Sequence, residues 1–334
     1  MDFTLSPDQE LLRDTARQLL ERECPTTLLR AHIGDPAAAD PLWRHLRDFA
    51  ALGDGPLTDG CVFLEESGYV AAPGPFFPTV ALFAPLLAAA GHELLAPALA
   101  GEITGTVAVA GADGVWTAND DPVKTFVPEA DRVDWVAVVS TGPTVALVQS
   151  PETRPVATVD FSRRVFEVDA GSGSAGAHSI DPEAFESVLE RATIALAAEM
   201  VGTARRLFDM TLAYAKERVQ FDVPIGSFQA LQHKLADMAL DLERATSAVA
   251  YAAMTVDAKD ADRHRAAHVA KAAAGAAATR AAKDGIQIHG GIGYTWEHDL
   301  HLYLRRATAD EYLLGTTGWH LDRLADLVIG PVGA

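Results

Sequence analysis

The chain is short of cysteine, short of positive charge and without an uninterrupted apolar run. Cys24 and Cys61 are its two cysteines in 334 residues, and no CxxC pair occurs. That excludes a secreted disulfide framework and a cysteine-rich zinc or iron–sulfur site. Lysine and arginine number 27 against 46 acidic residues, for a formal net charge of −19. Nucleic acid and anionic membranes need a basic footprint, so neither is an expected partner. Any anionic ligand must instead meet a local cluster of cations. The most apolar stretch, 76–100, is broken by Pro78, Pro85, His92, Glu93 and Pro97 and is too interrupted to span a bilayer. The opening MDFTLSPDQELL has no basic segment leading into an apolar one. No secretory signal is expected there, and the chain reads as a reduced, cytoplasmic protein.

What remains is an ordinary globular composition, 49% hydrophobic and 22% charged. Ser6-Pro7-Asp8-Gln9 is a helix start with a capping box, followed by a stripe of Leu11, Leu12, Leu19 and Leu20. Shorter helices are expected over 43–50, 59–69 and 79–90. From about Ile103 the texture changes to short β-branched runs, at 106–110, 133–140, 144–149, 156–161 and 164–168, punctuated by Asp113-Gly114 and Thr141-Gly142-Pro143. Ala170 to Gly176 has the composition of a linker. Three long helices should follow: one opening at Asp181-Pro182 and running to about Arg218, one from Phe228, and an alanine-rich one over 264–288. The expected fold class is mainly α with a small β region. Its parts are amino-terminal helices (1–102), a reduced middle β domain (103–169), a linker (170–180) and a carboxyl-terminal four-helix bundle (181–334).

His289-Gly290-Gly291-Ile292-Gly293 follows a helix rather than a strand, so it is not a dinucleotide-binding fingerprint. His264 and His268 lie four apart but lack the glutamate of HExxH, so no metal site is expected. His298 and His301 have no ligand set either, and the two cysteines read as core thiols. The segment from Lys216 to Gln229, KERVQFDVPIGSFQ, places cations at a helix end before an aromatic-led helix start. An arginine there can hold a diphosphate through two parallel hydrogen bonds, or the segment can be an ordinary turn between helices.

Together with Gln287-Ile288-His289-Gly290-Gly291-Ile292-Gly293-Tyr294, this segment resembles the acyl-CoA dehydrogenase family, which shows R-x-Q-F-G-x-P-I-x-x-F-Q and Q-x-x-G-G-x-G-[YF]. The amino-terminal MDF-x-L-S, Leu64-Glu65-Glu66-Ser67-Gly68, Trp296-Glu297-His298-Asp299 and the helix–β–helix order also match. The resemblance implies FAD shared at a subunit interface, an acyl-CoA thioester substrate and an electron-transfer flavoprotein as acceptor. In the family a carboxylate removes the α proton while the flavin takes the β hydrogen as hydride. It implies cofactor contacts from Arg218, Gln220, Phe221, Ile225, Phe228, Leu231, Gln287, Gly290 and Gly291, lent to a neighbouring subunit. Asp222 replaces a glycine there.

Other family features are missing. Only Val107 to Asp113 stands where the family has its flavin loop. Phe126-Val127-Pro128-Glu129 stands for W-[IV]-[TS]-N, and Pro128 offers neither hydroxyl nor N–H. Leu313-Leu314-Gly315-Thr316 matches Y-E-G-T, so Leu314 occupies the position of the base. Glu190 is the first candidate for a relocated base, with Glu199 and Glu311 behind it. The expectation is a non-catalytic subunit paired with a homologous catalytic one in an α2β2 assembly, as in actinobacterial enzymes acting on steroid side-chain thioesters. The alternatives are a self-sufficient enzyme using Glu190 and a scaffold that never carries FAD.

Overall fold

The computed structural model describes residues 3–172 and 177–330; part of the expected linker, 173–176, and the first two residues of the amino-terminal motif lie outside them. Helix α1 (Pro7–Glu23) starts with the expected box: Gln9 N–H donates to Ser6 Oγ at 3.2 Å and Ser6 N–H to Gln9 Oε1 at 3.1 Å. Helices α2 (Thr26–Gly34), α3 (Asp40–Leu46) and α4 (Leu57–Tyr69) follow. A π-helical turn (Pro78–Phe83) then leads into α5 (Ala84–Ala90) and α6 (Leu95–Leu99).

Two small sheets form the β region. One has the order β1 (Gly105–Ala108), β3 (Trp135–Ser140), β4 (Thr144–Val148), β7 (His178–Ser179), with β1 and β3 parallel. The other is β2 (Val123–Pro128), β6 (Val165–Asp169), β5 (Thr153–Val156), all antiparallel. Val127, Val136, Val138, Phe166 and Val168 fill the space between them. The expected strand over 156–161 is absent. Ser162 donates both its N–H and its hydroxyl to Asp160 Oδ1, at 2.8 and 2.7 Å, and this local bonding displaces a strand ladder.

The bundle is built from α7 (Pro182–Glu217), α8 (Gln229–Asp257), α9 (Arg263–His289) and α10 (Leu300–Tyr312), with α11 (Thr317–Ile329) beside α9. Helices α7 and α9 run parallel. Glu190 meets Arg263 near their starts, and Tyr214 stacks on His289 in their last turns. Helix α4 crosses α7 at closest approach through two glycines. A Cβ on Gly68 would lie 1.9 Å from the Glu199 carbonyl oxygen, and one on Gly202 would lie 1.8 Å from that of Glu65. Thr203 Oγ1 donates to the Gly68 carbonyl at 3.0 Å across the same contact.

A buried ionic network fixes the β region to the bundle. Arg306 Nε donates to Asp160 Oδ2 at 2.8 Å, and Arg163 Nη1 to Asp310 Oδ1 at 2.6 Å. Glu199 of α7 pairs with both arginines. Two guanidiniums thus face three carboxylates, and burial pushes the Asp310 carboxyl up to about 6. No helix among the described residues is long and apolar enough to cross a membrane.

Candidate functional site

The Arg218 segment is a tight hairpin between α7 and α8. Strands β8 (Val219–Gln220) and β9 (Val223–Pro224) pair, and Phe221 and Asp222 form the turn with φ of 54° and 65°. Positive φ at both central residues matches the twist of a two-residue hairpin. It also gives a backbone reason for glycine at position 222 in the resembling pattern. Aspartate is among the residues that tolerate this region best. The Ile225 N–H closes the loop onto the Arg218 carbonyl at 2.8 Å, and a 3₁₀ turn (Ile225–Ser227) hands over to α8 with Phe228 as its first cap.

Arg218, Gln220, Phe221 and Phe228 are exposed, Phe221 at 87%, and the two phenylalanine rings meet edge to face at 6.2 Å. Ile225 is instead buried and Leu231 half-buried, so both support the hairpin from beneath. Among the described residues Arg218 makes no ion pair.

The glycine segment stands at the same end of the bundle. Gln287 is exposed on the last turn of α9, and Gly290, also exposed, has φ 63° and ψ −143°, a region open essentially to glycine alone. A Cβ on Gly290 or Gly291 would meet nothing within 4 Å, so the backbone there is accessible. The two segments are joined by Tyr214. Its carbonyl accepts the Arg218 N–H at 2.9 Å, and its ring stacks on His289 at 4.3 Å. His298 packs edge-on against His289 at 4.8 Å. This aromatic joint was not legible in the sequence, because its members lie on separate elements. An arginine without an ion pair, open space beside the backbone of Gly290 and Gly291, and exposed aromatic rings fit the diphosphate and ring system of FAD.

The turn that matches Y-E-G-T in the resembling pattern is closed by contrast. Leu314 is 3% exposed and holds φ 58°, costly for a leucine, and Gly315 follows with φ 96°. Lys271 of α9 lies fully buried beneath this turn and donates to the Gly315 carbonyl at 2.8 Å; burial pushes its ammonium down to about 8. The His320 Nε2–H donates to the Leu314 carbonyl at 2.9 Å, leaving its Nδ1 to accept from His268 Nδ1–H at 2.8 Å. Burial, with Lys271 nearby, pulls His320 down to about 3. Leu314 lines a cavity of about 250 Å³ with Trp116, Phe126 and Trp319. That is below the roughly 300–1,000 Å³ of a typical ligand pocket. Opposite it, the 111–121 loop is tied to itself: Lys124, buried, donates to both oxygens of Asn119 at 2.6 Å, and Asp121 accepts the Ala112 N–H.

None of the candidate carboxylates turns toward this cavity. Glu311 accepts from Thr317 N–H and Oγ1, at 2.7 and 3.0 Å. Glu199 sits in the buried ionic network. Glu190 pairs with Arg263 at 3.4 Å and with His264, near the start of α7, ~40 Å along the helix from Arg218. Cys24 and Cys61 are free and buried, and burial pushes both thiols up.

A sequence profile described as "Acyl-CoA dehydrogenase, C-terminal domain" matches residues 183–329. The chain is 34% identical to acyl-CoA dehydrogenase IpdE2 of Mycobacterium tuberculosis, over 96% of this chain and 98% of the relative. The chain belongs to the acyl-CoA dehydrogenase family. Among solved structures of the family, the ChsE4–ChsE5 complex from M. tuberculosis matches with a TM-score of 0.88 and 25% identity, covering 99% of this chain and 100% of that one. The Tcur3481–Tcur3483 steroid acyl-CoA dehydrogenase variant matches at 0.87 and 28%, covering 98% and 99%.

Proposed function

We propose that this acyl-CoA dehydrogenase chain is the non-catalytic subunit of a heteromeric enzyme, lending contacts to FAD that a homologous catalytic subunit holds and uses. The observation that carries this is the contrast between its two sites. At one, Arg218 is exposed without an ion pair among the described residues and open space lies beside the glycine turn; at the other, Leu314 sits in a closed turn, and none of Glu190, Glu199 and Glu311 lines its cavity. The two structural neighbours, ChsE4–ChsE5 and Tcur3481–Tcur3483, are each named for two components, which supports the same reading.

FAD, when bound, supplies the hydride acceptor for α,β-dehydrogenation of an acyl-CoA thioester. Arg218 neutralises diphosphate charge and orients it through a two-pronged donor. Phe221 and Phe228 cover an apolar surface of the cofactor, and Gly290 and Gly291 admit close backbone approach. The α-proton base comes from the sister chain. The closed Leu314 turn leaves no second thioester site here, and steroid side-chain thioesters are the substrate class this arrangement suits. Electrons leave to an electron-transfer flavoprotein.

Co-expression with a homologous acyl-CoA dehydrogenase chain that retains the carboxylate and the flavin loop tests the reading. The expected outcome is a colourless chain alone and a yellow heteromer together, with Arg218→Ala lowering FAD retention at least about tenfold, one lost charge-assisted contact. A stoichiometrically yellow homo-oligomer of this chain alone overturns it. The structure gives little support to a base at Glu190, whose carboxylate is already engaged by Arg263 and His264.

A further inference from the structure

Strand β2 carries one residue too many at its centre. Lys124 pairs with Val168 and Val127 with Phe166, so Thr125 and Phe126 together face Glu167 alone on β6. Such a bulge bends the strand and re-aims a side chain. Thr125 turns to the Gly111 carbonyl, to which its hydroxyl donates at 2.8 Å. Phe126 takes φ 53°, outside the range a bulky residue prefers. Its ring lies against Gly114, where a Cβ would come within 3.0 Å of the ring edge. The ring is exposed, and among the described residues it stacks on no other aromatic. The fold thus holds a strained, unstacked aromatic side chain at a bulge. With Tyr312 it lines two cavities, the one beside Leu314 and a second of about 330 Å³ against α10.

The second cavity falls within the roughly 300–1,000 Å³ of a typical ligand pocket. Val159, Val165, Ala309 and Leu313 complete its apolar wall. Its other polar side chains are already spent on the protein. Thr158 Oγ1 donates to the Asp160 carbonyl at 2.8 Å, and Thr308 Oγ1 to the Leu304 carbonyl at 2.8 Å. Arg163, the cation on this wall, is paired with Asp310 at 2.6 Å and with Glu199, so an entering anion meets no uncommitted charge. Asp310 keeps its other oxygen buried, so a cation gains little either. What stays unspent is the Tyr312 hydroxyl, on a side chain 65% exposed and with no hydrogen bond among the described residues.

We propose that this cavity binds an uncharged, flat molecule of two or more linked or fused rings, packed against Phe126, with a polar group met by the Tyr312 hydroxyl. Apolar enclosure supplies the affinity. The lack of an uncommitted charge supplies the selection against ions, whose desolvation nothing on this wall repays. The site goes beyond the FAD reading and does not rest on it.

Phenylnaphthylamine and anilinonaphthalenesulfonate share one ring skeleton and differ by a sulfonate, and both brighten in an apolar site. Titrated into the whole chain, the neutral dye should bind saturably with a Kd of about 10 μM, and the sulfonate at least about tenfold more weakly. Val159→Trp and Thr308→Trp fill the cavity from the β region and from α10, at positions exposed enough to spare the fold. Each should weaken the neutral dye about tenfold while the urea midpoint holds. The heteromer, where it forms, should return the wild-type Kd. Absence of saturable binding, a sulfonate bound as tightly as the neutral dye, or an unchanged Kd in both tryptophan variants overturns the proposal. Binding to the chain alone that is lost in the heteromer overturns it too, and assigns the cavity to the sister chain.

Discussion

The hairpin at Arg218 and the turn at Leu314 both hold non-glycine residues in the left-handed region, yet they have opposite chemistry. At the hairpin, Phe221 and Asp222 carry the positive φ on the surface, and Arg218 beside them is exposed with no ion pair among the described residues. At the turn, Leu314 carries it inside, and the carbonyls around it are taken by Lys271 and His320. A polar group already satisfied by the protein has little left to offer a ligand, whereas an exposed and unpaired one does. One backbone device therefore exposes side chains in the first case and closes a turn in the second.

The most damaging way to open the sealed region is to remove Arg306, the fully buried cation on α10, the helix that leads into the turn. Arg306→Leu strips partners from Asp160 and Glu199 together, and breaking a buried pair typically costs about 3–5 kcal/mol. Urea unfolding should show that loss, while Arg218→Ala leaves the midpoint nearly unchanged. Equal effects of the two would erase the contrast.

Placing an acid at Leu314 probes the closed turn more directly. Leu314→Glu places a carboxyl at a site 3% exposed and apolar, so its pKa should rise and its ionised form should cost about 2–4 kcal/mol. A raised carboxyl pKa means that stability recovers as pH falls, and unfolding at pH 8 and pH 5 reads this. We expect no exchange of the substrate α proton with solvent deuterium, because the 111–121 loop opposite remains tied to itself. Efficient exchange would show that the site is closed only by its missing base.

A smaller effect comes from His320 itself. Its folded pKa, about 3, lies below the ordinary value of 6.5, so the unfolded chain binds the proton first. Its contribution is complete above pH 6.5 and is lost on acidification, by up to about 1.4 kcal/mol per pH unit. Between pH 6.5 and 5 that amounts to about 2 kcal/mol. Asp310, with a raised pKa, acts in the opposite direction over part of this range. The comparison that isolates His320 is therefore wild type against His320→Gln, whose acid limb should be flatter.

Much of the open site could be read from the chain because its signals are local. Arg218 to Phe228 lie within eleven consecutive positions; α7 and α9 start and end, and α8 starts, within a residue or two of where periodicity and the capping residues put them. The sealed site could be read only as a loss. Leu314 announced that an acid was missing, but Lys271 and His320 reach the turn from other helices, and no spacing rule joins them. The expected strand over 156–161 failed for a related reason. Asp160 and Arg163 are drawn into a buried network with Glu199 and Asp310, and that tertiary demand outweighs the β-branched pattern of the segment.

Phe221 gives the smallest effect on folding and the sharpest on the open edge. At 87% exposure it buries almost nothing in this chain, and its contact with Phe228 is edge to face on the surface. Phe221→Ala should therefore change the urea midpoint by no more than about 0.5 kcal/mol, as surface substitutions do. An exposed aromatic of this size is expensive to leave in water, and burying it against a cofactor or sister subunit returns about 1.5–3 kcal/mol. The heteromer should accordingly lose about ten- to hundredfold in affinity for FAD or for the partner while the isolated chain stays as stable as before. If the isolated chain weakens instead, the ring belongs to the fold, and the hairpin is as self-contained as the Leu314 turn.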